Sequence, residues 1–308
     1  MDEFDLIEHA FRQRASFVHK LTRLPNGDDA SIHAVPEGQE MVMSTDISMT
    51  GKHWPEDFPL NDAACRAVNA AVSDLAAMGA TPAWMWLGVM AISSDDADQM
   101  GQGVAMALES ISMELAGGDI VRSPVNALSV TVAGLLPQGS GMRRNVARIG
   151  QDIWLCGDAG LAAHGLRQWQ QGKHEGNHVP YFRDVRPLLN EGTRLRELGV
   201  TCCIDVSDGL FADAGHVADA SGVALHISLE KVRGFPSLLT EMDEQEAIRL
   251  ALSGGEDYSL LFTADVGQRE SMQTFARRIG ECRKGNGIHI TLNGRKVNVV
   301  SKGYDHFS

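Results

Sequence analysis

Two series of segments, each alternating strand-like and helix-like apolar spacing, limit what this chain can fold into more than any other feature of its sequence. In the first series, a helix over about residues 3–14 leads to "EMVMSTDI", which reads as a buried strand. "NDAACRAVNAAVSDLAAMGA" has helical periodicity, with Asn61 or Asp62 at its start and Gly79 as its stop. "WMWLGVMAI" follows as a strand, "DDADQMGQGVAMALESISMEL" as a helix and "LSVTVAGLLP" as a strand. Pro137, Gly139 and Gly141 then interrupt the pattern. The second series runs through the strand "DIWLCG", the helix "LAAHGLRQWQQ", a polar loop "GKHEGNHVP" and a helix near 187–198. It continues with the strand "VTCCIDV", a helix from Asp208, the strand "VALHISL", the helix "EQEAIRLAL", the strand "YSLLFTA" and an Asn-Gly hairpin in "ITLNGRKVNV". The expectation is two α/β domains, residues 1–137 and 138–308.

A length of 308 residues is ample for two cores. The net charge of −13 argues against nucleic-acid binding, which needs a clustered positive face. It is compatible with anionic small molecules if divalent cations lie between the two sets of negative charge. No apolar run reaches the roughly 18 residues that cross a bilayer, and the acidic start "MDEFDLIEHAF" is the opposite of a secretory leader. Five cysteines without metal-type spacing fit a reducing cytoplasm, with Cys202 and Cys203 as core residues of an apolar strand.

Carboxylates recur at element ends, mostly beside glycine or small residues: Asp28 and Asp29 in "NGDDA", Asp46 in "STDIS", Asp74 in "VSDLAAMG", Asp119 in "AGGDIV", and Asp205 and Asp208 in "IDVSDG". Singly, each has a structural explanation: a turn at Asp28–Asp29, a helix exit at Asp119, an N-cap at Asp208. Asp74 resists one, because it shares a helical face with Ala67, Ala70, Ala71 and Met78. A carboxylate within an apolar stripe is costly unless paired or bound to metal. One oxygen-rich site built from Asp29, Asp46, Asp74 and Asp119, with Ser44 and Thr45, would suit Mg²⁺.

Two motifs fail. "HEGNH", His174 to His178, has H-E-x-x-H spacing, but Gly172, Gly176 and Pro180 deny it the helix the motif requires, so it reads as a mobile polar loop. Neither common glycine-rich phosphate loop is present. "LSGGEDY" ends a helix and presents Glu256 and Asp257, which also reads as a solvated acidic turn.

In this order, "NGDDA", "STDIS" with "GKHW", "NAAVSDLAAMGA", "GGD", "DVSDGL", "LSGGEDY" and "KGYDHF" resemble the thiamine-monophosphate kinases over residues 27 to 307. The resemblance implies a two-domain α/β (α+β) fold of the aminoimidazole ribonucleotide synthetase type, usually a homodimer joined through its N-terminal sheets. It implies ATP and several Mg²⁺ ions in the cleft between domains, and transfer of the γ-phosphoryl group to thiamine monophosphate. By the same resemblance, Asp29, Ser44, Thr45, Asp46, Asp74, Asp119, Asp205 and Asp208 are metal ligands. Gly118, Asp119, Arg144 and Ser207 are ATP contacts, and His53, Glu256 and Tyr304 hold the thiamine substrate. Asp46, Asp74, Arg144 and Asp208 carry catalysis.

Some positions depart from the family pattern. Pro25 replaces a glycine before "NGDD", Ile120 and Val121 replace two threonines after "GGD", and "FRDVRP" stands at 182–187 for an R-P-x-P-R segment. The alternatives are a same-fold magnesium–ATP enzyme with another small phosphorylated acceptor, or a non-catalytic nucleotide-binding relative.

Overall fold

The computed structural model describes residues 3–298. The chain divides into two compact units, one running to Leu75 and including Ala80–Gly139, the other including Ala76–Gly79 and everything from Ser140.

The first unit holds α1 (Glu3–Ile7), β1 (Thr22–Leu24), β2 (Ile32–His33), β3 (Gln39–Met49), most of α2 (Leu60–Met78), β4 (Thr81–Ala91), α3 (Ser94–Ile111), β5 (Glu114–Arg122) and β6 (Ala127–Pro137). The helix expected over 3–14 is α1 plus a π-helical turn, Glu8–Arg12. Four strands form a sheet in the order β3-β6-β4-β5. One face, with Leu87, Val89, Leu128, Val130 and Val132, is buried. On the other, β3 exposes Met41, Met43 and Ile47, at 44, 53 and 61%. The expected buried strand is therefore buried on one side only, because strict alternation sends every second side chain to the open face. At one end of that face, β1 and β2 are tied to the sheet by Trp84, whose Nε1 donates to Thr22 Oγ1 at 2.8 Å, while Thr22 donates to buried Glu114 at 2.5 Å.

The third expected helix extends to Leu115. Instead Ser112, in the left-handed region at φ 53°, ends α3, and β5 begins at Glu114. Gly117 and Gly118 read as a loop in the sequence but sit inside β5: a Cβ on Gly118 would lie 2.3 Å from the Leu87 carbonyl oxygen. Close backbone approach, not turn formation, accounts for that glycine.

The second unit holds β7 (Asp152–Cys156), α4 (Leu161–Gln170), α5 (Val179–Arg183), α6 (Leu189–Glu197), β8 (Cys202–Val206), α7 (Leu210–Ser221), β9 (Ala224–Ser228), α8 (Phe235–Leu238), α9 (Glu244–Ser253), β10 (Ser259–Ala264), α10 (Arg269–Met272), β11 (Arg277–Arg283), β12 (Gly287–Leu292) and β13 (Arg295–Lys296). Its seven-stranded sheet runs β13-β12-β9-β11-β7-β10-β8, mostly antiparallel with a parallel β12–β9 pair. The Asn-Gly hairpin forms between β12 and β13, with Asn293 and Gly294 at positive φ. β11, "RRIGECR", carries too many charges to read as a strand and forms through pairing with β7 and β9. All five cysteines are free thiols; Cys156, Cys202, Cys203 and Cys282 are buried and Cys65 is half-buried.

Candidate active site

In the first unit the strand-end hydroxyls and carboxylates separate by strand alternation. Ser44 and Asp46 occupy the half-buried face of β3, and Ser44 Oγ donates to Asp74 Oδ2 on α2 at 2.5 Å. This answers how a carboxylate survives in the apolar stripe of α2: a strand hydroxyl meets it. Thr45 points the other way and bonds Thr131 Oγ1 at 2.9 Å. Asp119 lies in the middle of β5, not at a helix exit. In register it aligns with Gly88, Ser129 and Ile47, so it shares the open face, whereas Asp46 aligns with Val130, Leu87 and Gly118. Three inter-strand spacings place Asp46 and Asp119 about 14 Å apart across the sheet. Within this unit, then, Ser44 and Asp74 come together, while Asp119 and Thr45 belong to the opposite face.

The Asp28–Asp29 turn is held by an arginine that sequence inspection passed over. Arg12 pairs with Glu8 at 2.8 Å and donates to the Asn26 carbonyl at 3.1 Å. Its guanidinium fills the space where a Cβ on Gly27 would stand, 2.5 Å away, and Gly27 has φ 130°. A recess lined by Phe11, Arg12, Asn26, Gly117, Gly118 and Asp119 brings this turn beside β5. His53 sits in the turn after β3, with Nδ1 accepting from the Met49 N–H at 3.1 Å, and buried Trp54 anchors that turn by bonding Thr50 Oγ1 at 2.9 Å.

In the second unit, buried Asp205 near the end of β8 leads through Ser207 and Asp208 into α7. Asp213, missed in the sequence, accepts from the Ser207 and Asp208 N–H groups at 3.0 and 3.1 Å. Burial, then the charges of Asp208 and Asp205, push its carboxyl up to about 7. The signal was available, because Asp213 shares an apolar helical face with Leu210, Ala214 and Val217, as Asp74 does on α2. His216 brings a ring nitrogen within 4.8 Å of a carboxylate oxygen of Asp208 and of Asp213; the carboxylate oxygens gathered here suit a hard dication such as Mg²⁺.

The "GGEDY" turn docks on this loop through Glu256 N to Ser207 O at 2.7 Å and Tyr258 N to Val206 O at 2.8 Å. Glu256 and Tyr258 both have positive φ, and the Tyr258 hydroxyl donates to Glu256 Oε2 at 2.8 Å. Two non-glycine residues in the left-handed region mark backbone held by its surroundings. Asp257 is half-buried and not a free acidic exit: it accepts from Gly160 N at 2.7 Å and Ala162 N at 3.2 Å, capping α4. Arg144 is exposed, its carbonyl receiving the Ser221 hydroxyl at 3.2 Å. Tyr304 lies outside the described residues.

The two halves match two family descriptions: AIR synthase related protein, N-terminal domain, over residues 27–136, and its C-terminal domain over 148–292. The thiamine-monophosphate kinase of Salmonella typhimurium is 32% identical, with 99% of this chain and 98% of that protein aligned. This chain belongs to the thiamine-monophosphate kinase family. The structure of the thiamine-monophosphate kinase from Stenotrophomonas maltophilia superposes with a TM-score of 0.85 at 32% identity, covering 96% of this chain and 98% of that one. AaThiL complexed with AMPPCP and TMP superposes with a TM-score of 0.79 at 26% identity, covering 89% of each chain. The expected α/β fold of two AIR synthase-type domains is thus the family's fold. Among the described residues, no helix is long and apolar enough to cross a membrane.

Proposed function

We propose that this protein transfers the γ-phosphoryl group of ATP to thiamine monophosphate, giving thiamine diphosphate and ADP. The observation that carries the reading is the end-to-end match to thiamine-monophosphate kinases, which spans both acidic clusters. Donor and acceptor are both anions. A pair of unit charges at about 4 Å costs about 4 kcal/mol at an effective dielectric of 20, and several such pairs oppose the approach. Asp46 and Asp74 in the first unit, with Ser44, and Asp205 and Asp208 in the second would hold Mg²⁺, while Asp29, and Thr45 and Asp119 on the sheet's open face, would serve a separate ion. Bound there, magnesium supplies charge neutralisation for the transferring phosphoryl group.

The chain's own residues then bind and orient. Arg144 and the backbone of Gly118, Asp119 and Ser207 contact ATP, and His53, Glu256 and Tyr304 receive the thiamine moiety. The Met49 N–H, donating to Nδ1, fixes the orientation of the His53 ring for this role. The acceptor phosphate is already ionised near neutral pH, so the residues need to position it rather than deprotonate it. We further infer a cytoplasmic homodimer joined through the open face of the first unit's sheet, and we divide the functional domains at residues 1–137 and 138–308.

The test is incubation of the purified protein with ATP, magnesium and thiamine monophosphate, with and without magnesium, and chromatography for thiamine diphosphate. Magnesium-dependent product is expected. ATP binding without product would redirect the search to another phosphorylated acceptor, with Ile120 and Val121 as the first positions to revert.

A further inference from the structure

The "HEGNH" segment does not form the pair its spacing suggests. His174 stacks on Trp169 with ring centroids 4.1 Å apart. His178 instead turns inward at the start of α5, 6% exposed, and its ring lies 4.6 Å from that of His164 on α4, itself 8% exposed. Glu241, in the connection between α8 and α9, reaches both. Its Oε2 is 2.8 Å from His164 Nε2, and its Oε1 is 3.3 Å from His178 Nδ1. The second contact lacks hydrogen-bond geometry: His178 Nδ1 is buried, aimed at a carboxylate oxygen, and has no hydrogen-bond partner. Its other ring nitrogen faces Ser237 Oγ at 3.4 Å, which fixes the ring. One ligand atom from each of the three residues lies within 4.8 Å of the others.

We propose that His164, His178 and Glu241 form a binding site for a borderline transition-metal dication, Zn²⁺ in the first instance. Two imidazole nitrogens with one carboxylate oxygen are zinc donors, and imidazole selects against Mg²⁺. A tetrahedral Zn²⁺ with ligand bonds near 2.1 Å separates its donors by about 3.4 Å, close to the 3.3 Å already present between Glu241 and His178. Glu241 is partly exposed, which gives the ion an entry path and leaves the fourth position to water. The ion clips α4, the segment ahead of α5 and the α8–α9 connection to one point. It is distinct from the acidic clusters assigned to phosphoryl transfer, where His216 joins Asp208 and Asp213 as a single imidazole among carboxylates. Binding at His164 Nε2 displaces the proton that this atom shares with Glu241, so uptake weakens as the pH falls.

The experiment strips the full-length protein with a chelator, saturates it with Mg²⁺ to occupy the oxygen sites, and titrates Zn²⁺ against a chromogenic competitor. One equivalent of Zn²⁺ is expected in the parent, with affinity lowered roughly 10- to 100-fold in Glu241→Gln and in His178→Gln. Co²⁺ in place of Zn²⁺ gives a second readout in the unmutated chain, the intense visible bands of a tetrahedral site. Equal zinc affinity in the parent and both variants would overturn the proposal. So would the absence of tetrahedral bands in the Co²⁺-loaded parent, which would make the triad a hydrogen-bonded strut. Neither readout depends on kinase turnover, so this site and the kinase reading stand or fall separately.

Discussion

The Ser44–Asp74 hydrogen bond makes a strand hydroxyl and a helix carboxylate one unit, and that predicts what a minimal change does. In Asp74→Asn the remaining oxygen still accepts from Ser44, so the fold survives while the charge is lost. Turnover is expected to fall at least about 100-fold with the unfolding midpoint nearly unchanged; parental activity would make Asp74 a packing residue. Asp257 gives a pH prediction. Burial, with smaller contributions from Asp158 and Glu256, raises its carboxyl to about 7 from an ordinary 3.8, against the opposing pull of the Gly160 and Ala162 N–H groups. The folded chain therefore keeps a proton that the unfolded chain releases between those values. The stability this provides is full below about pH 4 and is lost as the pH rises through about 7. Urea midpoints should show Asp257→Asn costing more at pH 5 than at pH 8, by on the order of 1–4 kcal/mol; a pH-independent cost would refute it. At this scale the sequence was informative wherever a carboxylate interrupted an apolar stripe. It was silent on His164 and Glu241, which meet across 77 residues, and on the contact of Arg12 with the Asn26 carbonyl.

Among the elements, the "GGEDY" turn shows how local signals mislead. Two glycines and two acids look like a solvated exit, yet the turn is pinned to the β8–α7 loop by backbone bonds that no periodicity encodes. Gly255 has φ 69°, and a Cβ there would lie 2.8 Å from the Ser207 carbonyl oxygen. Gly255→Ala is expected to cost about 1–3 kcal/mol and to raise the KM for thiamine monophosphate more than it lowers kcat, as steady-state kinetics would reveal; unchanged KM would detach this turn from substrate binding. Most strands and helices were legible from their periodicity and stops. β5 and β11 were not, because Gly117–Gly118 and the charges of "RRIGECR" contradict strand propensity and only neighbouring strands rescue them.

For the whole molecule, a Pro-Gly break raises the expectation of two domains, but nothing in the sequence points to the sidedness of the first sheet. Met41, Met43 and Ile47 read as core and lie exposed, and a partner's matching face is what such a surface calls for. Light scattering at micromolar concentration should report a dimer for the parent and a monomer for Met43→Lys. A monomeric parent would remove the homodimer from the account.

The five thiols carry a practical consequence. Burial pushes Cys156 and Cys282 up to about 12 and raises Cys202 and Cys203 as well, so almost no thiolate is present at these positions near neutral pH. Alkylating reagents and peroxide should therefore spare four of the five and find Cys65 first. That residue lies nine positions before Asp74, about 14 Å along α2 and on the opposite side of the helix. Nature has left a single-site handle: a fluorophore attached there, without any engineered mutation, would watch the acidic site fill from behind.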